Sequence, residues 1–283
     1  MSQVILQFIE QLKLRQLSRH TLRAYRQDLE LLQAFLGRPL HQATDADLER
    51  YWHSVRDVKP ATLRRKQAAT RQFFRYCLRM RLVEADPTVN FIPPKMPQRL
   101  PTYLGLADVE RLFRQFPAGG DAMAIRDSAI LKMFYYTGMR ASEVEQVNLG
   151  DILWEEQAIR VFGKGRKERL IPLHAELSQS LQRWLAVRPR TLHRSLFVTL
   201  RPDYRRLSYQ GLYFIVKRSF KRASIDVHRF SPHKLRHTFA THLLSRRVAI
   251  NEISKLLGHS RLDTTQIYAH TDESRLRAAI ERL

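Results

Sequence analysis

Residues 231–268 read SPHKLRHTFATHLLSRRVAINEISKLLGHSRLDTTQIY and combine a helical pattern with reactive side chains. Ser231 can cap a helix, and Pro232 suits the first turn of that helix. Gly258 is typical of a residue that ends a second helix in the left-handed conformation. The apolar side chains that recur every four residues and predict a buried helix face are Leu235, Phe239 and Leu243. The stretch therefore predicts two helices held rigidly against a core.

Four side chains in this stretch can act on a phosphate group. His233 and Arg236 are three residues apart, so they share one helical face. His259 follows directly after the predicted helix end at Gly258, and Tyr268 comes nine residues later. Two imidazoles, a guanidinium group and a phenol on an apolar frame indicate phosphate chemistry.

Composition limits the class of protein. The chain has 283 residues, 44% of them hydrophobic, which is enough for two ordinary domains with real cores. Cys77 is the single cysteine, which excludes an intramolecular disulfide and fits a reducing cytoplasm. We expect no membrane span, because no run of about 18 apolar residues occurs. The early Glu10 does not fit a signal peptide.

The net charge of +22 is the strongest global signal. Arginine and lysine outnumber aspartate and glutamate on both sides of residue 99, so the excess is not confined to a basic tail. A chain that is basic throughout is expected to face a polyanion with both halves. Charge alone leaves DNA and RNA both open.

Residues 1–92 predict a helical N-terminal domain. Apolar stripes at helical spacing recur along this region, and a long helix is expected from Pro60 to about Arg79. One side of that helix is basic and nearly without acidic residues, which favours phosphate contacts over a merely solvated face. The side chains proposed for these contacts are Arg64, Arg65, Lys66, Arg71 and Arg75.

A proline-rich linker is predicted at residues 93–101, since four prolines fall within nine residues there. Residues 102–283 then form a second domain. Its last segment, residues 269–283, predicts a short amphipathic helix that docks either on its own domain or on a neighbour.

Two further segments of the second domain carry cations in special positions. Arg140 lies between a helix stop at Gly138 and the next helix start, where a partly buried arginine needs a carboxylate or phosphate partner. Residues 158–173 predict a β-hairpin whose tip holds Lys164 between two glycines, so the lysine can project into a groove. A helix over residues 208–222 has a basic flank that also predicts DNA contacts: Lys217, Arg218 and Lys221.

Six residues together fit phosphoryl transfer through a covalent tyrosyl intermediate: Arg140, Lys164, His233, Arg236, His259 and Tyr268. Two arginines can hold the non-bridging oxygens of a phosphodiester and stabilise its transition state. A tyrosine hydroxyl has a free pKa of about 10 and needs help to lose its proton. No metal ion or other cofactor is required, because the guanidinium groups supply positive charge.

The chain also resembles the tyrosine recombinases, in particular the Xer-like and phage-integrase branch. The segments that carry the resemblance, in order, are LSRHTLRAY at residues 17–25, TGMRASE at 137–143, GKGRKER at 163–169, HKLRH at 233–237, LLGHS at 256–260 and TTQIY at 264–268. The resemblance covers nearly the whole chain, and the ordered set of motifs is highly specific.

The resemblance implies a fold that is mainly α with a small β-hairpin or sheet, an N-terminal SAM-like core-binding domain and a C-shaped two-domain DNA clamp. It implies that Tyr268 forms a 3′-phosphotyrosyl link and that strands exchange through a Holliday junction. Lys164 would be the general acid, and Glu143 would support Arg140. The implied partners are double-stranded DNA with a specific recombination site, a homo-tetramer on paired sites, and a related recombinase or accessory proteins, all at the nucleoid in the cytoplasm.

Three rival interpretations stay open. A zinc enzyme could use His233 and His237, but Lys234 stands where the zincin pattern needs glutamate. A type IB topoisomerase shares the chemistry and rejoins the same strand, and a DNA-binding regulator could keep the fold without catalysis. The sequence leaves open the DNA target, the histidine that acts as base, and the biological task among dimer resolution, cointegrate resolution and phage integration.

Overall fold

The computed structural model describes residues 2–15, 17–91, 102–117, 119–163, 168–226 and 231–258. The chain divides into two compact units, residues 1–99 and residues 100–283. The predicted fold class, mainly helical with a small sheet, is confirmed. No helix in the described ranges has the length and apolar character needed to cross a membrane.

The first unit is helical. Its helices are α1 (Gln3–Leu14), α2 (Arg19–Leu36), α3 (Asp45–Ser54) and α4 (Pro60–Arg79). Their apolar stripes meet in one core, where Phe8 packs edge-to-face on Phe73 at 5.6 Å between ring centroids. Side chains cap the first turns of α2 and α3: Ser18 accepts a hydrogen bond from the backbone N–H of Thr21, and Thr44 forms a capping box with Asp47.

Helix α4 begins and ends as predicted, but its basic face is smaller than predicted. The placement of Lys66 on this face is wrong: the side chain is buried, and its Nζ lies 3.3 Å from Asp28 Oδ1 and 3.3 Å from the Tyr51 hydroxyl. The cause is the buried Asp28 carboxylate of α2, which needs a cation beside it. Arg65 also pairs with Asp28.

The other cations of α4 stay near the surface. Arg64 and Arg75 are exposed. Arg71 is half-buried and donates to the backbone carbonyl of Phe91 at 2.9 Å. The basic surface that α4 offers to solvent therefore consists chiefly of Arg64, Arg75 and Arg79.

The second unit builds helices around a small sheet. The elements are α5 (Leu106–Arg114), α6 (Ala122–Thr137), α7 (Ala141–Gln146), β1 (Ile152–Leu153), β2 (Ala158–Phe162), β3 (Glu168–Pro172), α8 (Ala175–Val187), α9 (Tyr209–Arg222), α10 (Pro232–Ser245) and α11 (Ile250–Leu257). The strands are antiparallel in the order β1-β2-β3. Large core side chains from three of the helices, Phe134, Trp184 and Phe220, are fully buried.

The predicted hairpin is confirmed, with Ala158 paired to Pro172 and Phe162 paired to Glu168. Strand β1 was not predicted, because two residues are too few to show an alternating pattern. Helix α10 starts after Ser231 with Pro232 in its first turn, as predicted, but the Ser231 side chain makes no capping hydrogen bond. Gly258 adopts φ +64° and ends α11, as predicted.

Candidate active site

Arg140 lies at the turn between α6 and α7. Gly138 ends α6 with φ +60°, and Arg140 occupies the N-cap position of α7. Its guanidinium Nη1 donates to Glu143 Oε1 at 3.0 Å, and its backbone N–H donates to Glu143 Oε2 at 2.8 Å. The side chain is 42% exposed, so the guanidinium is held at one end by a carboxylate and still reaches solvent. The carboxylate partner that the sequence required is thus Glu143.

Glu143 is buried and receives a second arginine. Arg169 of β3 donates from Nη1 to Oε1 at 3.1 Å and from Nη2 to Oε2 at 2.9 Å, a bidentate pair. Burial raises the pKa of Glu143, but the hydrogen bonds from Arg169 and from the Arg140 backbone outweigh it, and the net pKa lies below the ordinary value. Glu143 is therefore a carboxylate that orients two guanidinium groups.

Arg236 is the most deeply buried cation of the site, at 1% exposure. It extends from α10 and donates from Nη1 to the carbonyl of Gly138 at 2.8 Å and from Nη2 to the carbonyl of Leu257 at 2.7 Å. These carbonyls belong to the C-terminal ends of α6 and α11, where a positive charge is favoured by the helix dipole. Arg236 thus joins the end of α6, two residues before Arg140, to the end of α11.

His233 lies one turn before Arg236 on α10. Its exposed ring is perpendicular to that of His237, with centroids 4.6 Å apart. Partial desolvation and then the positive charges of Arg236, Lys234 and Arg140 lower its pKa below the ordinary histidine value. The imidazole is therefore neutral at neutral pH and can accept a proton.

The structure brings together Arg140, Glu143, His233 and Arg236. Both Arg140 and Arg236 lie close enough to lower the pKa of the same imidazole, His233. Three predicted site residues, Lys164, His259 and Tyr268, lie outside the described residues. In the described ranges, no group of three His, Cys, Asp or Glu side chains is arranged to hold a metal ion.

Sequence reasoning missed Arg169 as a residue of the site, because the sequence shows it only as part of the motif at residues 163–169. Its signal was the alternation along β3: Glu168 and Leu170 face outward, whereas Arg169 shares the inward face with Ile171. An arginine on the inward face of a strand needs an acceptor, and Glu143 was available.

Helix α9 carries the other predicted basic surface. Lys221 is exposed, and the Lys217 ammonium lies 5.6 Å from the centroid of the Tyr213 ring. Arg218 pairs with Asp127 and lies 5.9 Å from the Phe214 ring. Phe214 itself is 63% exposed, so α9 presents aromatic rings and cations together to solvent.

Comparison with known proteins assigns both units to one family of proteins. Residues 103–275 match the model of the phage integrase family, and residues 5–80 match the phage integrase N-terminal SAM-like domain. The chain therefore belongs to the phage integrase family and is a site-specific tyrosine recombinase, an enzyme that transfers DNA strands.

Its relatives include recombinases named XerD and XerC. The chain is 38% identical to a tyrosine recombinase XerD of Ralstonia nicotianae over 92% of this chain and 87% of the relative. It is 36% identical to a tyrosine recombinase XerC of Alcanivorax borkumensis over 91% of this chain and 85% of the relative. It shares its fold with the XerH site-specific recombinase bound to palindromic difH substrate, with a TM-score of 0.78, 24% identity and coverage of 92% and 78% of the two chains.

Proposed function

We propose that this chain cleaves and rejoins duplex DNA at a specific recombination site, with Tyr268 as the nucleophile. The observation that supports this most directly is the grouping of Arg140, Arg236 and the neutral His233 at the ends of α6, α10 and α11. Two fixed guanidinium groups beside a neutral imidazole form a site that can receive a phosphodiester and accept a proton.

In the proposed reaction the Tyr268 oxygen attacks the phosphorus atom, and the bond from phosphorus to the 5′-oxygen breaks. The phenol proton passes to a neighbouring base, for which neutral His233 has the right protonation state. Lys164 gives a proton to the departing 5′-oxygen. Arg140, Arg236 and His259 hold the non-bridging oxygens. Because the 3′-phosphotyrosyl ester keeps the bond energy, a 5′-hydroxyl of the partner duplex can reverse the step without ATP or metal.

The DNA-binding surface that we propose lies on α4 and α9. The exposed cations Arg64 and Arg75 of α4 and Lys221 of α9 would bind phosphates, and Lys217 of α9 would contribute with Lys221. Arg65, Arg71 and Arg218 are engaged in contacts within the fold and would contribute through their remaining donors. Lys66 is excluded from this role because it is buried.

The assembly and setting that we propose follow the family pattern. Residues 1–92 form a core-binding domain, residues 93–101 a linker and residues 102–283 the catalytic domain, and both domains bind the duplex. Four protomers act on two paired sites through a Holliday junction in the bacterial cytoplasm, with the tail at 269–283 docking on a neighbour.

The test is a nicked suicide half-site whose scissile strand is labelled at its 5′ end, incubated with the full chain in EDTA. Wild type is expected to form a covalent protein–DNA complex, and Tyr268→Phe is expected to form none, because it lacks the nucleophilic oxygen. Tyr204→Phe, at another tyrosine of the same unit, serves as the matched control and should form the complex. Covalent trapping by Tyr268→Phe would show that another residue is the nucleophile.

A further inference from the structure

Arg169 uses its guanidinium group to join three elements of the second unit. It extends from β3 and makes the bidentate pair with Glu143 of α7. Its Nε donates to the carbonyl of Leu256 in the last turn of α11 at 2.8 Å. The side chain is 12% exposed, so these bonds are shielded from water. Only the planar fork of arginine can serve a carboxylate and a carbonyl at these angles at once.

The end of α11 is shaped to fit this guanidinium. Gly258 has φ +64°, and a Cβ atom added there would lie 2.9 Å from Arg169 Nη1 and 3.2 Å from Arg169 Cζ. The backbone at Gly258 therefore lies directly against the guanidinium group. A side chain at position 258 would displace this group. The chain continues from Gly258 into His259, a proposed phosphate-binding residue.

We propose that Arg169 is a positioning residue for DNA cleavage. It holds the Glu143 carboxylate, which in turn fixes Arg140, and it fixes the end of α11 from which the chain enters His259. Arg169 thereby sets the relative positions of three parts of the site: Arg140, the end of α11, and the base of the hairpin that bears Lys164. This inference rests on the proposed function and concerns the same site.

The alternative is that Arg169 only neutralises a buried carboxylate. A lysine would supply that charge, because Glu143 needs a positive neighbour whatever its shape. A lysine has a compact ammonium and would lose either the bidentate pair or the bond to Leu256. The variant Arg169→Lys therefore separates a charge role, which lysine preserves, from a positioning role, which lysine loses.

The experiment measures DNA binding and the rate of covalent complex formation on the suicide half-site, with the full chain. For Arg169→Lys we expect DNA affinity within about twofold of wild type and a cleavage rate reduced about 100-fold, the typical effect of a displaced catalytic group. Arg160→Ala is the matched control, since Arg160 lies on the facing strand and pairs with the exposed Glu168 at 3.1 Å. It should cleave at the wild-type rate.

Chemical rescue gives a second measurement. Methylguanidinium at low millimolar concentration should raise the cleavage rate of Arg169→Ala at least tenfold and leave wild type unchanged, because the free ion can occupy the space between Glu143 and Leu256. If Arg169→Ala does not fold, the cleavage rate and DNA affinity of Arg169→Lys alone test the positioning role.

The outcomes separate the two proposals. No covalent complex with wild type would contradict the proposed function itself. Wild-type cleavage accompanied by full activity of Arg169→Lys would overturn the positioning role alone. The positioning role would also be overturned if Arg169→Lys lost DNA binding, thermal stability and cleavage equally. The same holds if Arg169→Ala folds and methylguanidinium does not rescue its cleavage rate.

Discussion

The protonation state of His233 is set by partial desolvation and by three nearby cations. Because partial desolvation and the charges of Arg236, Lys234 and Arg140 all disfavour the imidazolium, the pKa of His233 lies below its ordinary value. The folded state therefore binds this proton less readily than the unfolded chain. The contribution of His233 to stability is full at neutral pH and declines as the pH falls below the unfolded pKa.

This gives a prediction for Arg140→Ala. Removal of one positive charge should raise the pKa of His233 toward the ordinary histidine value, measured by NMR titration of the histidine rings in the full chain. Arg114→Ala, which removes a cation paired with Glu110 on α5, should leave the His233 titration unchanged. An identical His233 pKa in wild type and Arg140→Ala would show that Arg140 does not act on this ring.

Single residues also show where sequence reasoning failed. Arg64, Arg65 and Lys66 are consecutive, and helical periodicity alone suggested that all three point outward. Burial of Lys66 depends on Asp28, which is 38 positions earlier and on another helix. Arg169 depends in the same way on Glu143 across the fold. A buried ion pair is a property of two distant positions, so a local pattern cannot reveal it.

The ends of helices were predictable because their chemistry is local. Ser18 and Thr44 cap helices through their own first turns, and Gly37, Gly138 and Gly258 end helices in the left-handed region. Helix α6 likewise begins at Ala122 after Asp121, whose side chain accepts a hydrogen bond from the backbone N–H of Ala124. Strand β1 could not be predicted, because its two residues are too few to show an alternating pattern.

Two helix-ending glycines provide a test at the level of elements. Gly138 and Gly37 have φ values of +60° and +66°. A Cβ at Gly138 would collide with Phe239 and lie 2.8 Å from Leu257 Cδ2, whereas a Cβ at Gly37 would meet nothing within 4 Å. We expect Gly138→Ala to destabilise its unit by about 3 kcal/mol, from left-handed strain plus overpacking, and Gly37→Ala to destabilise its unit by about 1 kcal/mol, from strain alone.

Hydrogen exchange of peptides from each unit in the full chain measures these two changes separately. Gly138→Ala should also slow cleavage, because the Gly138 carbonyl accepts a hydrogen bond from Arg236. Similar destabilisation by the two substitutions would mean that the packing of Phe239 and Leu257 adjusts freely around α6.

At the scale of the whole molecule, the net charge of +22 is spread over both units. Sequence composition could establish this excess, and the ordered motifs could establish the family, since both are properties of the chain itself. Composition could not say which cations are free for a ligand, because ion pairs such as those at Asp28 and Asp127 form only in the fold.

The charge distribution predicts how DNA binding depends on salt. Lys221→Ala removes an exposed cation of the proposed α9 surface, so the slope of log affinity against log salt concentration should become shallower by about one. Arg114→Ala removes the same charge from an arginine already paired with Glu110 and should leave the slope unchanged. Both slopes are measured by fluorescence anisotropy with a labelled duplex. Equal slopes for Lys221→Ala and wild type would place α9 away from the DNA.

Arg236 binds main-chain carbonyls, and this has a consequence for how the sequence can vary. A side-chain acceptor is lost when its residue mutates, but the carbonyl of Leu257 remains whichever residue occupies that position. Selection for a new DNA target, in nature or in the laboratory, can therefore exchange side chains around this guanidinium without removing that bond. Arg236 thus keeps this bond even when the residues around it are substituted.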